Sequence, residues 1–238
     1  MAIKGWFVTG TDTGVGKTQI ASGLAALAGN KLGTPVGLWK PVQSGVSPGS
    51  PEADSFRLKM GSGLPLDETE LVTVSLPEPL APWMAARRSG VELDFAALVE
   101  EGRRRLAKDP FLIVEGAGGI TVPITSRELM ADLALQLELP LVIVARPGLG
   151  TVNHTLLTVS YARSRGLEIF GVILNGCRNT DDPSVRENSM MIEHFGGVRV
   201  IGILPWFKHP TDANDRWDDW RTQWVERMER NLDLSDWL

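Results

Sequence analysis

The stretch Phe7-Val8-Thr9-Gly10-Thr11-Asp12-Thr13-Gly14-Val15-Gly16-Lys17-Thr18 restricts this chain to a narrow set of folds. An apolar run enters a glycine-rich turn, and Gly-Lys-Thr then opens a helical pattern, which is the strand, turn and helix order of a phosphate-binding loop. In such a loop the backbone N–H groups and the positive end of the helix dipole converge on one anion. Thr13, Gly14, Val15, Gly16, Lys17, Thr18 and Gln19 are therefore the candidate contacts of a nucleoside triphosphate. Lys17 would meet its β- and γ-phosphates, and the Thr18 hydroxyl would be a ligand of Mg²⁺. The spacing is irregular in one respect: five residues separate Gly10 from Gly16, where the common pattern has four.

The rest of the chain continues the alternation that this loop begins. Strands are expected at 4–9, 35–39, 110–115, 140–145, 168–175 and 198–204, most of them continuous Val, Ile, Leu and Phe, the mark of strands buried on both faces. Helices are expected at 17–29, 54–60, 82–88, 94–107, 129–137, 152–165 and 183–195. This order predicts an α/β fold, a doubly wound and mostly parallel sheet with helices on both faces and ligands at the carboxyl ends of its strands. One domain over residues 1–238 is expected. The segments 46–53 and 61–82, rich in Pro, Gly and Ser, read as surface loops. Trp217, Trp220, Trp224 and Met228, at steps of three, four and four, predict an amphipathic C-terminal helix at about 212–230 laid on the domain or on a second subunit.

Composition excludes several classes of partner. A net charge of −5 gives no overall basic field to hold nucleic acid or an anionic membrane, so a nucleotide needs a local site. The single cysteine, Cys177, rules out an intrachain disulfide and a multi-cysteine zinc site and suits a reducing compartment. Met1 leads directly toward the first strand, with no signal region and no membrane-length apolar run, so a soluble cytoplasmic protein is expected. His154, His194 and His209 are scattered without ligand spacing and read as structural or surface residues.

A phosphate loop alone specifies only a triphosphate; the chemistry depends on the other strand ends. Lys40, in Lys40-Pro41-Val42-Gln43-Ser44-Gly45, would place a second point charge beside the loop. Glu115 closes an apolar strand ahead of Gly116, Ala117, Gly118 and Gly119, the position of a second Mg²⁺ anchor, with glycines leaving backbone open to a ligand. Asp54 is either a further metal carboxylate or the N-cap of its helix. Gly150, Thr151, Val152 and Asn153 open a later helix as an anion cradle. Asn175, Pro205 and Trp206 end the last two strands on the edge where a base would lie, and no guanine-selecting Asn-Lys-x-Asp is present.

Taken together, these separated motifs resemble the dethiobiotin synthetases from the first strand to about Trp206. The motifs are Gly10-Thr11-Asp12-Thr13 with Val15-Gly16-Lys17-Thr18, Lys40-Pro41-Val42 with Ser44-Gly45, Asp54-Ser55, Glu115 to Gly119, Gly150 with Asn153-His154, Asn175, and Pro205-Trp206. The longer loop belongs to that family's pattern. The resemblance implies an ATP- and Mg²⁺-dependent ligase that inserts CO₂, supplied from bicarbonate, between the two amines of 7,8-diaminononanoate. It further implies Lys17 and Lys40 as catalytic residues and Thr18, Asp54 and Glu115 as metal ligands. Nucleotide contacts would extend to Gly116, Ala117, Gly118, Asn175, Pro205 and Trp206. Ser44 and Gly118 would touch the diamine, and Gly150 to Asn153 would be offered by the second subunit of a homodimer. The alternative is a nucleotide-driven switch of the partitioning and cell-division kind, but Thr11, Asp12 and Thr13 stand where those ATPases carry an extra lysine.

Overall fold

The computed structural model describes residues 3–212 and 216–235. Among them, seven strands and nine helices follow one another as β1 (Gly5–Gly10), α1 (Lys17–Leu32), β2 (Val36–Ser44), α2 (Asp54–Ser62), α3 (Glu68–Leu71), β3 (Val72–Leu76), α4 (Pro82–Arg88) and α5 (Phe95–Lys108). The chain continues through β4 (Phe111–Gly119), α6 (Met130–Leu137), β5 (Leu141–Ala145), α7 (Thr151–Ser164), β6 (Ile169–Cys177), α8 (Pro183–Gly196), β7 (Val200–Pro205) and α9 (Trp217–Asn231).

The sheet runs β3-β2-β4-β1-β5-β6-β7, and every paired neighbour is parallel. Alternate residues of each central strand supply two separate cores. Trp6, Val8, Ile113, Val142, Val144 and Ile173 pack under α1, α2 and α9, while Phe7, Val114, Ile143, Val172 and Leu174 pack under α4 to α8. Burial on both faces is why these strands read as unbroken apolar runs. From β1 the chain passes to β2 on one side of the sheet, and from β4 it crosses to β5 on the other, so the connections part at β1 and set a crevice at its carboxyl end.

Two expectations are corrected here. The segment 61–82 is not simply loop: it holds α3 and the edge strand β3. β3 is five residues with only its end residues buried, so Val72-Thr73-Val74-Ser75-Leu76 carries the alternation of an edge strand and lacks the apolar run of a central one. Lys40 also lies inside β2, not at its end. β2 pairs with β4 as far as Trp39 and with β3 from Lys40 onward, so Lys40 stands at the fork where the strand changes partner.

α9 lies against α1, α2 and β7, with Trp217, Trp220, Trp224 and Met228 all buried, as their spacing predicts. The part of the expected helix at 213–215 falls outside the described residues. No helix among the described residues is long and apolar enough to cross a membrane.

Candidate active site

The ends of β1, β2 and β4 and the first turns of α1 and α2 enclose a cleft of about 700 Å³. Its floor is the phosphate loop. Gly16 caps α1 in the left-handed region at φ 95°, and a Cβ there would fall 2.2 Å from the Asn175 amide nitrogen. Only glycine meets both demands, so Gly16→Ala is expected to distort the loop and abolish nucleotide binding, as a titration with ATP would report. Asn175 in turn donates to the Val15 carbonyl at 3.0 Å, bracing the loop from β6.

Four side chains meet at one point of this cleft. Lys40 Nζ donates to Glu115 Oε1 at 2.8 Å and pairs with Asp54 Oδ2 at 2.8 Å. The Thr18 hydroxyl lies 2.9 Å from the same Glu115 oxygen and 3.0 Å from Asp54 Oδ1. Lys17 Nζ donates back to the Asp12 carbonyl at 3.0 Å, while the Asp12 carboxylate pairs with Arg146. Asp54 caps nothing: Ala53 is the N-cap of α2, and the Asp54 carboxylate turns instead to Lys40 and Thr18.

The charges are held in place by burial working against pairing. Lys40 and Glu115 are 2% and 1% exposed. Burial favours a neutral Lys40, yet Asp54 and Glu115 together outweigh it and hold the ammonium above its ordinary range. Burial likewise pushes the Asp54 carboxyl up, and Lys40 overcomes it and keeps Asp54 below the usual carboxylate range. For Glu115 burial prevails over Lys40, and the Asp54 charge adds to it, so its carboxyl is pushed up. Lys17 is lowered, chiefly by desolvation.

This donor set fits a hard divalent cation. It offers a hydroxyl and two carboxylates, and Glu115 Oε2 is buried with no hydrogen-bond partner among the described residues. Among those residues no group of three His, Cys, Asp or Glu side chains gathers, so phosphate and water would complete the shell, as Mg²⁺ sites commonly do.

Of the residues expected from sequence, Thr13, Gly14, Gly16, Lys17, Thr18, Gln19, Lys40, Ser44, Asp54, Glu115, Ala117 and Gly118 line the cleft. Ser44 Oγ donates to the Leu80 carbonyl at 2.8 Å. Val15 turns into the core, and Gly116 supplies a carbonyl 3.4 Å from Lys40. Asn175, Pro205 and Trp206 lie outside the lining; the Trp206 ring is half exposed beneath the Arg178 guanidinium, 5.3 Å from its centroid. Gly150, Thr151, Val152 and Asn153, at the start of α7, also lie apart from the cleft.

Other lining residues escaped the sequence reading. Gln43 Oε1 accepts from the Ser55 backbone at 3.0 Å and ties α2 to β2. Pro79 to Pro82 form a wall out of what reads as loop, and Arg57 joins it from α2. His209, read as structural or surface, lines the cleft as well; burial holds its imidazole below the ordinary range. No motif marks it, because α9 brings it there.

A parallel sheet with a phosphate loop at its central strand and a hydroxyl, two carboxylates and two lysines beside it defines a P-loop nucleotide-dependent enzyme. A family model described as an AAA domain matches residues 4–214. The chain is 47% identical over 206 residues to the ATP-dependent dethiobiotin synthetase BioD of Bacillus thuringiensis (strain Al Hakam), covering 87% of this chain and 85% of that one, and equally to that of Bacillus cereus (strain 03BB102). The chain belongs to the ATP-dependent dethiobiotin synthetase family, within the P-loop AAA-domain group, and so to the ATP-dependent ligases of biotin biosynthesis. In fold it is similar to a ParA family ATPase from Chlorobium tepidum TLS, with TM-score 0.55, 14% identity, and coverage of 96% of this chain and 93% of the other. It is similar also to the septum site-determining protein MinD from Pyrococcus horikoshii OT3, with TM-score 0.52, 17% identity and coverage of 87% and 82%. At such identities the likeness is one of fold.

Proposed function

We propose that this chain closes the ureido ring of dethiobiotin from 7,8-diaminononanoate, CO₂ and ATP. One amine adds to CO₂ and loses a proton to give a carbamate. A carbamate oxygen then takes the γ-phosphoryl group of ATP, releasing ADP. The second amine attacks the activated carbonyl carbon, the C–O bond to phosphate breaks, the attacking nitrogen gives up a proton as phosphate departs, and the cyclic urea is complete.

The observation that carries this reading is the meeting of Lys40, Asp54, Glu115 and Thr18 within 3.0 Å contacts at the edge of the phosphate loop. Lys17 follows the charge on the transferring phosphoryl group, and Lys40 holds the carbamate and its phosphorylated form. Mg²⁺ bound by Thr18, Asp54 and Glu115 would screen the triphosphate from the carbamate anion. Free alkyl amines titrate near pH ~10; Lys17, Lys40 and a bound Mg²⁺ together would outweigh the two carboxylates and disfavour a further ammonium, favouring the neutral, nucleophilic diamine. Ser44, Gly116 and Gly118 border the diamine, while Asn175, Pro205 and Trp206 border the base. Phosphate release is expected to require both diamine and bicarbonate; release indifferent to the diamine would favour a nucleotide-driven switch. Glu115→Gln is expected to raise the Mg²⁺ concentration needed for half-maximal turnover about tenfold or more, and an unchanged Mg²⁺ titration would remove Glu115 from the shell.

The homodimer is part of the same proposal. Leu149 is fully exposed just before α7, and Leu157, Met190 and Phe195 are exposed on α7 and α8, two helices that pack on each other. Large apolar side chains exposed on two packed helices support self-association there, which would bring Gly150 to Asn153 to the partner's cleft. Leu157→Asp is expected to give monomers in sedimentation and to raise the KM for the diamine.

A further inference from the structure

We infer that α9 is a positioning element of the nucleotide site: its tryptophan face holds the first turn of α1 and the loop after β7 in register along the base side of the cleft. The inference rests on the proposed placement of the base beside Pro205 and Trp206, and it concerns a helix that lies beyond residue 214, where the family match ends.

The connections run through backbone carbonyls of segments that line the cleft. The Trp224 indole N–H donates to the Gln19 carbonyl at 3.0 Å, one residue beyond Thr18. The Gln19 side chain donates across to the Phe207 carbonyl at 3.2 Å. The Trp220 indole N–H donates to the Lys208 carbonyl at 3.0 Å. Thus one helix face fixes both the phosphate-loop helix and the three residues that follow Trp206.

Ring contacts complete the clamp. Phe207 stacks on Trp224 and Trp220, at 5.8 Å from each with interplanar angles of 6° and 17°, and the Arg227 guanidinium covers it at 4.1 Å. His209 sits 4.9 Å from Trp217 and 4.8 Å from Trp220 and forms part of the cleft wall. Burying apolar area requires tryptophans only to be covered. Here two indole donors also leave their own helix, one to hold the cleft-lining Gln19 and the other to hold Lys208, the neighbour of cleft-lining His209, as a strut does.

The test compares ATP with inorganic triphosphate, which lacks base and ribose. Trp220→Phe keeps an aromatic ring and removes the donor to Lys208. Calorimetry is expected to show ATP binding weakened about three- to tenfold, triphosphate binding unchanged, and kcat at saturating ATP within about twofold of wild type. Arg227→Ala, which removes the half-buried cation over Phe207 and leaves the buried tryptophans in place, is expected to shift ATP binding in the same direction by about two- to threefold and serves if Trp220→Phe folds poorly. A Trp220→Phe protein of lower Tm whose ATP and triphosphate affinities are unchanged, or fall alike, would overturn the inference and leave α9 a cover for the core. Wild-type protein binding ATP no more tightly than triphosphate would remove the base contact itself, and the inference with it; diamine-dependent turnover would be untouched by either result.

Discussion

Lys40→Ala is expected to lower turnover about 10²- to 10³-fold while ATP still binds, because in the proposed reaction the charge removed is the one that would meet the carbamate as its phosphoryl bond forms. A second consequence comes from the geometry. Lys40 is the buried partner of both Asp54 and Glu115, so truncation leaves two carboxylates facing each other without their cation. Removing one member of a buried pair typically costs about 3–5 kcal/mol. Glu115, already pushed up by burial, loses the ammonium that pulled it down. A carboxyl whose folded pKa stands above its unfolded value stabilises the fold at low pH and loses that contribution as pH rises through the folded pKa. The Tm deficit of Lys40→Ala relative to wild type should therefore shrink as pH falls from neutral through the raised Glu115 range. Mg²⁺ should also restore part of the deficit at neutral pH by binding the native fold. Loss of ATP binding with chemistry intact would show that Lys40 serves the nucleotide and not the carbamate.

A loss of stability as large is expected of Trp224→Ala. Trp224 is fully buried between α9 and α1, against a glycine, Gly23, whose Cβ would fall 2.5 Å from the indole nitrogen and 2.3 Å from the Met228 sulfur. The two helices approach this closely because position 23 has no side chain. Deleting the indole opens a cavity that Gly23 cannot fill, and such losses cost about 3–5 kcal/mol. Against a total of about 5–15 kcal/mol, much of the folded margin is lost. Urea unfolding should show the midpoint fall with little change in slope. A loss below about 1 kcal/mol would mean that α9 contributes little to the fold.

The sequence displayed the parts of the site more clearly than their arrangement. Gly10 to Thr18 was legible because strand, turn and helix are adjacent in the chain, and the central strands because burial on both faces leaves continuous apolar runs. β3 was not, since an edge strand of five residues buries only its end residues. Lys40, Asp54 and Glu115 each stood out by position, yet their meeting depends on β2 leaving β4 at residue 39, which no local pattern announces. Asp54 illustrates the point: as helix cap and as metal carboxylate it reads alike, until Ala53 takes the cap position. His209 was invisible as a cleft residue because α9 brings it there through Trp217 and Trp220. The tryptophan spacing predicted a buried face but not what that face would hold.

The most direct measurement supplies purified protein with ATP, Mg²⁺, 7,8-diaminononanoate and ¹³C-labelled bicarbonate and follows the products by mass spectrometry. The expected result is dethiobiotin carrying the label in its ureido carbon, formed with equal amounts of ADP and phosphate. ADP formed at the same rate with or without the diamine, and no labelled dethiobiotin, would contradict it.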